Sequence, residues 1–299
     1  VTRRRTRNKR SRPRRGTGQG PTVKPNRSLP AKDTVQQLDS ILNDPRYESF
    51  VSRLGAAAQD PKTRHVLRGG LLDGQLADDL VQTDIITRRA SNLTPIQYEI
   101  DLESTLNWIG SHPENVPHIL QGGTLNPRHF GGNPIITTNG DYIVDGHHRW
   151  SQVYLINPEA RLKSIDLNVE DPEKALRASQ VAVAAMTGQV AIKHVPPDKN
   201  LYKMTIKDIR ETLTRLLTPR FYTAFYEHNP EQFTSKTDVH RHIINNIARM
   251  RHTNRPATDI SRNLMPQLDT ITGGATQGIT ALTEGQVNRR KPYTKRRYP

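Results

Sequence analysis

The chain has 299 residues, 33% hydrophobic and 5% aromatic, with mean hydropathy −0.73 and formal net charge +15; a folded core diluted by polar tails is expected. It contains no cysteine, which excludes disulfides, thiolate metal sites and thiol nucleophiles. No stretch approaches the roughly eighteen apolar residues of a membrane span and the N-terminus lacks a signal-peptide core, so no membrane partner and no secretion by a signal peptide are expected, while the compartment stays open.

Residues 1–27 carry eleven Lys or Arg and no acid, nine of them (Arg3, Arg4, Arg5, Arg7, Lys9, Arg10, Arg12, Arg14, Arg15) among the first fifteen positions. With their Gly, Pro and Ser content, residues 1–30 are expected to be a disordered basic tail. Residues 31–90 follow as a helical lead-in. Val35, Leu38, Ile41 and Leu42 share a helical face, as do Phe50, Val51 and Leu54, and a last helical stretch holds Leu76, Leu80 and Val81.

From residue 95 the period changes. Ile96, Tyr98, Ile100 and Leu102 alternate with Gln97, Glu99, Asp101 and Glu103, which predicts a strand. A short helix over 104–109 comes next, then a loop over 110–134 dense in Pro, Gly, His and Asn. Ile135 to Thr138, Asn139-Gly140 and Tyr142 to Val144 predict a hairpin on a type I′ turn. The chain then breaks at Gly146 and restarts as a helix with Trp150, Val153 and Tyr154 on one face, ending before Pro158. A strand over 162–169 and an Ala-rich helix over 172–186 complete an α/β unit spanning 91–187. The fold class is therefore α+β or α/β, a small domain flanked by helical regions and basic tails.

Residues 188–272 read as a helical C-terminal region, with Thr205 and Asp208, then Ser235 and Asp238, at capping-box spacing. His240 and His242, two apart on one such helix, point to different faces and suit a solvated surface better than a shared ion. Residues 273–299 form a second tail with Arg289, Arg290, Lys291, Lys295, Arg296 and Arg297, and no acid from 285 onward. The two tails supply 11 + 6 = 17 positive charges; the other 27 basic and 29 acidic residues leave the body at −2. All the excess charge sits at the ends. Arg-rich segments of this kind bind nucleic-acid phosphates by releasing counterions. The N-terminal tail has no aromatics to stack on bases, so the expected partner is nucleic acid held without sequence preference, DNA favoured. A localisation signal and an acidic protein partner are the competing readings.

Asp145 to Trp150, Asp-Gly-His-His-Arg-Trp, is the most informative segment. A helix N-terminus offers unpaired N–H groups and the positive end of its dipole. Gly146 permits close approach, Arg149 offers a bidentate fork, and His147 and His148 could donate or relay protons, which makes Gly146, His147, His148 and Arg149 a candidate phosphate cradle. The plainer reading is a turn whose side chains cap local carbonyls. Asp145 and Glu99 could act as an acid pair, one as base and one holding Mg²⁺; otherwise Asp145 caps the helix and Glu99 lies on a solvated strand face.

Strand, Asp-Gly, His-His-Arg and helix together resemble the ParB/sulfiredoxin superfamily over about 90–187. The resemblance implies a small α/β fold that binds a nucleotide or phosphoryl group at that helix N-terminus. Clamp-type ParB proteins carry Gly-Glu-Arg-Arg here, which argues against clamp-type CTP binding. Sulfiredoxins carry Gly-Cys-His-Arg, and His147 in place of the Cys excludes their redox chemistry. Asp145 to Arg149 match the Asp-Gly-His-His-Arg of archaeal free-serine kinases, which also use an acid after the first strand, for which Glu99 is best placed. Phage proteins of the ParB-like nuclease type share the segment with Trp150 included, and Arg-rich tails suit that setting. The implied functions are a nucleic-acid-associated protein of a phage or mobile element with nuclease or NTPase activity (Arg149 and the His147 backbone holding phosphate, His148 or Asp145 assisting proton transfer, Mg²⁺ with a nucleoside triphosphate as cofactor), a non-catalytic component of a virion or self-assembling nucleoprotein particle, or a small-molecule phosphotransferase with Glu99 and Asp145 catalytic. No helix-turn-helix supports sequence-specific reading.

Overall fold

A computed structural model describes residues 40–64 (apart from 42 and 62), 84–190, 199–262 and 265. Both basic tails and the stretch holding Leu76, Leu80 and Val81 lie outside these residues. Among them are eight α-helices and a six-stranded mixed sheet, which establishes mixed α/β content. No described helix is long and apolar enough to cross a membrane.

The strands are β1 (Asp84–Arg89), β2 (Thr94–Pro95), β3 (Thr124–Leu125), β4 (Ile135–Thr138), β5 (Tyr142–Asp145) and β6 (Arg161–Asp166). They lie in the order β1-β6-β4-β5-β2, with β3 pairing β6 below β4. β1/β6 and β4/β5 are antiparallel; β4/β6 and β5/β2 are parallel. The helices are α1 (Tyr47–Gln59), α2 (Leu102–Ser111), α3 (Val116–Leu120), α4 (His147–Ile156), α5 (Pro172–Thr187), α6 (Ile206–Leu216), α7 (Pro219–His228) and α8 (Lys236–Thr253).

Strand alternation builds two cores. Ile135 and Ile143 face one side of the sheet, where α2, α3, α4 and α6–α8 pack; Ile136 and Val144 face the other, covered by α1 and α5. The α6–α8 helices thus share one core with the α/β unit. Phe50, Val51 and Leu54 of α1 are buried as their periodicity predicts.

The hairpin turn matches its sequence. Asn139 and Gly140 have φ of 49° and 73°, and Asp141 N–H donates to Thr138 O at 3.2 Å, as a type I′ turn requires. Buried Asp166 holds the turn in place, accepting from Thr137 Oγ1, Gly140 N and Asn168 N at 2.9–3.0 Å. Thr205 and Asp208 form a full reciprocal capping box ahead of α6, and Ser235 accepts from Asp238 N ahead of α8.

Three expected elements differ. The segment expected as a loop over 110–134 contains α3, β3 and two 3₁₀ turns. The lead-in does not stay helical: residues 84–89 form β1, pairing along the whole of β6. The alternating segment 96–102 is extended but is not a strand with one face in water. Only Thr94–Pro95 pairs as a strand; Gln97 bridges Ile260, Asp101 bridges Asn200, and Leu102 already opens α2. Gln97 is fully buried, because segments from elsewhere in the chain cover the polar face as well.

Candidate functional site

The Gly146 junction forms as the sequence predicts, and local geometry explains it. An extra residue on β5 opposite Ile136/Thr137 makes a bulge just before the strand ends, a device that re-aims a strand. Gly146 then takes φ 95°, ψ 24°, a left-handed conformation that glycine adopts without penalty, and becomes the N-cap of α4 with no side chain of its own to cap it. Asp145 is not the cap. Its Oδ2 accepts from Arg149 Nη2 at 2.9 Å, and both side chains are about one-fifth exposed.

Arg149 folds back across the junction. Nη2 also donates to Pro134 O at 3.0 Å, while Nε–H is buried with no acceptor among the described residues. Its stem lies on Gly131, where a Cβ would come within 3.2 Å of Arg149 Cδ. The loop over 126–134, with a 3₁₀ turn at Pro127–His129 and positive φ at Gly131 and Gly132, therefore forms one wall of the site. Gln152 Nε2 fastens that wall by donating to Phe130 O at 2.6 Å.

Both histidines bind the same upstream segment. His147 Nε2 accepts from Gln97 N, and His148 Nε2 accepts from Asp101 N, each at 3.3 Å. Adjacent residues on the first turn of α4 thereby pin the extended segment 97–101 at two points. An accepting nitrogen carries no proton, so these bonds need neutral imidazoles. His147 is buried, and burial first, then the positive charges of Arg149 and Arg262, lowers its pKa to about 3; a hydrogen bond with the Ile143 backbone opposes them in part. His147 is thus a neutral imidazole whose two ring nitrogens both serve the backbone, at Gln97 and Ile143, where the sequence suggested a proton donor or relay.

That shift carries a pH prediction. A histidine whose folded pKa lies below its unfolded value of about 6.5 takes up a proton more readily unfolded. Stability is then full above that value and falls as pH drops from about 6.5 toward about 3, on the order of 1 kcal/mol per pH unit from this group. His147→Gln, which keeps an acceptor for Gln97 N–H without the titration, should flatten the acid limb of urea-unfolding stability. An unchanged limb would contradict it.

Glu99 lies between the two pinned residues, so the fold brings it beside the junction. It is not on a solvated face: it is 8% exposed, and its Oε2 accepts from Ser261 Oγ at 3.1 Å and Arg262 N at 3.0 Å. The segment that follows α8 lies along 95–99, with Ala257 N donating to Pro95 O and Tyr98 N to Ile260 O. It carries Arg262 into electrostatic reach of His147. Nothing local in the sequence marks Arg262, because Glu99 and His147, which it meets at the junction, lie more than a hundred residues away. Gly131-Gly132 was the visible signal for the loop wall.

Asp145, Gly146, His147, His148, Arg149 and Glu99 therefore meet in one region. Asp145 is bound to Arg149 and Glu99 to the C-terminal segment, so in this arrangement the two carboxylates offer no ready Mg²⁺ ligand set. Among the described residues no three His, Asp or Glu side chains group as metal ligands. His240 and His242 are not solvated as expected. His240 Nε2 pairs with Tyr222 OH and His242 Nε2 with Ile156 O, each at 2.8 Å, so they turn to separate partners. His118 on α3 and His129 in the 3₁₀ turn at Pro127–His129 stack at 4.6 Å. A separate cavity of about 400 Å³ opens between 199–204 and α6, lined by Lys199, Lys203, Asp208, Glu211 and Arg215 among others, and holds none of the motif residues. No protein-family model, curated protein or solved structure matches the chain.

Proposed function

We propose that this is a nucleic-acid-associated protein whose basic tails grip phosphates without sequence preference and whose ParB/sulfiredoxin-like body receives a phosphoryl group at the N-terminus of α4, as a binding module rather than a catalyst. The observation that carries the reading is the separation of charge: 17 positive charges in two acid-free tails against −2 on the body. At the junction the support comes from the uncapped Gly146 N-cap, the unspent Arg149 Nε–H and the two guanidinium charges felt by His147. Against proton transfer stand the two imidazoles, both held as acceptors of backbone N–H groups. A phage or mobile-element particle, in which the tails touch packaged genome, suits such a protein, with DNA the favoured partner.

The ligand classes to test are inorganic phosphate and nucleoside triphosphates, with any Mg²⁺ entering on the triphosphate. A phosphate or nucleotide should raise the thermal midpoint of the full chain. Arg149→Ala should weaken that ligand by roughly 10- to 100-fold, the worth of a charge-assisted hydrogen bond of about 1.5–3 kcal/mol. No midpoint shift with any of these ligands would remove the phosphate site and leave only the tails.

A second reading, a phosphotransferase, NTPase or nuclease using Glu99, Asp145 and His148, takes its support from Glu99 lying between the residues bound by the two histidines. It requires the Asp145–Arg149 pair and the Glu99 contacts to open on substrate binding. Turnover of a nucleoside triphosphate or DNA that disappears in Glu99→Gln would favour it over binding alone.

A further inference from the structure

One edge of the sheet is a candidate self-association surface. β1 closes one end of the strand order, and among the described residues no strand pairs with its outer side. Proteins normally shorten, bulge or cover such edges, because a row of unpaired N–H and C=O groups templates another chain. β1 runs six residues, follows β6 without a register break, and contains no proline. Ile85, on this strand, is 68% exposed.

The strand sequence selects a partner. When two copies of one strand pair antiparallel about a two-fold axis, facing residues alternate between pairs whose amides meet and pairs whose amides point away, and in every pair both side chains lie on the same face. A residue must therefore face its own copy at the centre. Centred on Ile86, the register sets Asp84 opposite Arg88 of the second copy, twice by symmetry, and Ile85 opposite Thr87. Centred on Thr87, it sets Ile86 against Arg88 and leaves Asp84 with no facing residue in the strand. Parallel in-register pairing stacks Arg88 and Arg89 on themselves. Only the Ile86-centred register joins opposite charges around an apolar centre, an arrangement that stabilises cross-strand pairs.

The present partners of these charges do not block it. Arg88 Nε lies 3.7 Å from Asp141, an exposed and weak pair, and Asp84 accepts from Asn168 Nδ2 at the surface. From this self-complementary edge we infer that a second copy of the chain docks on β1, antiparallel and centred on Ile86, to continue the sheet across a two-fold axis.

Sedimentation equilibrium of the nuclease-treated full chain tests this. The wild type should dimerise reversibly. Asp84→Arg and Arg88→Asp each set like charges face to face and should shift the protein to monomer, while the double reversal restores opposite charges and should restore the dimer. Circular dichroism on each variant checks that the fold is kept. A wild type that stays monomeric at all concentrations, as it would if the chain's own residues covered the edge, overturns the inference. So does a dimer indifferent to the single reversals, or a folded double variant that fails to re-associate.

Discussion

Trp150→Ala is expected to lower stability by about 3–5 kcal/mol, a large part of the roughly 5–15 kcal/mol of a typical domain. Trp150 is fully buried in the core shared by the α/β unit and the C-terminal helices, with its ring edge-on to Tyr154 at 5.4 Å. Its Nε1–H donates to Ala90 O at 2.9 Å, tying α4 to the turn that follows β1. Truncation opens a cavity and also removes one of the two hydrogen bonds that Ala90 O accepts, the other coming from Leu93 N–H at 3.2 Å. Trp150→Phe keeps much of the volume and loses the donor, so it should cost less. Chemical denaturation of both variants checks the order; equal losses would show that the hydrogen bond, and not the packing, dominates.

Gly146→Val should cost several kcal/mol and remove the proposed anion site with the same change. At φ 95° an L side chain is strained whatever the space around it, and the space is short: a Cβ would stand 2.9 Å from Arg149 Nη2 and 3.2 Å from Ile135 Cγ1. Arg149 can swing away, but doing so breaks its bonds to Asp145 and Pro134. Ile135 is core and cannot. The expected result is a fall in unfolding free energy of about 2–4 kcal/mol, roughly the sum of backbone strain and overpacking. Phosphate-induced stabilisation should vanish as well. A variant as stable as wild type would mean the left-handed turn is not required.

What the sequence made legible was local. The Asn139-Gly140 turn, the Gly146 break, the capping box at Thr205 and the apolar face of α4 are each specified within a few residues, so periodicity and turn chemistry sufficed. The misreadings share a cause in long-range packing. Glu99 looked solvent-facing because its neighbours alternate, but residues 257–262 cover that face. Residues 84–89 carried no strand alternation, since β1 is exposed along most of its length and β6 defines it. The motif histidines were legible as a pair beside a helix start. That they would serve as acceptors for Gln97 and Asp101 depended on where a segment some fifty residues upstream would lie.

The central claim, that the tails and not the body hold nucleic acid, is tested most directly by measuring DNA affinity against salt for the full chain and for a chain lacking residues 1–27 and 285–299. The full chain should lose affinity steeply with salt, with a log–log slope of about −0.9 per phosphate contacted. The shortened chain should bind orders of magnitude more weakly, with a slope near zero. A shortened chain that keeps both the affinity and the slope would contradict the account and move the nucleic-acid surface onto the folded body.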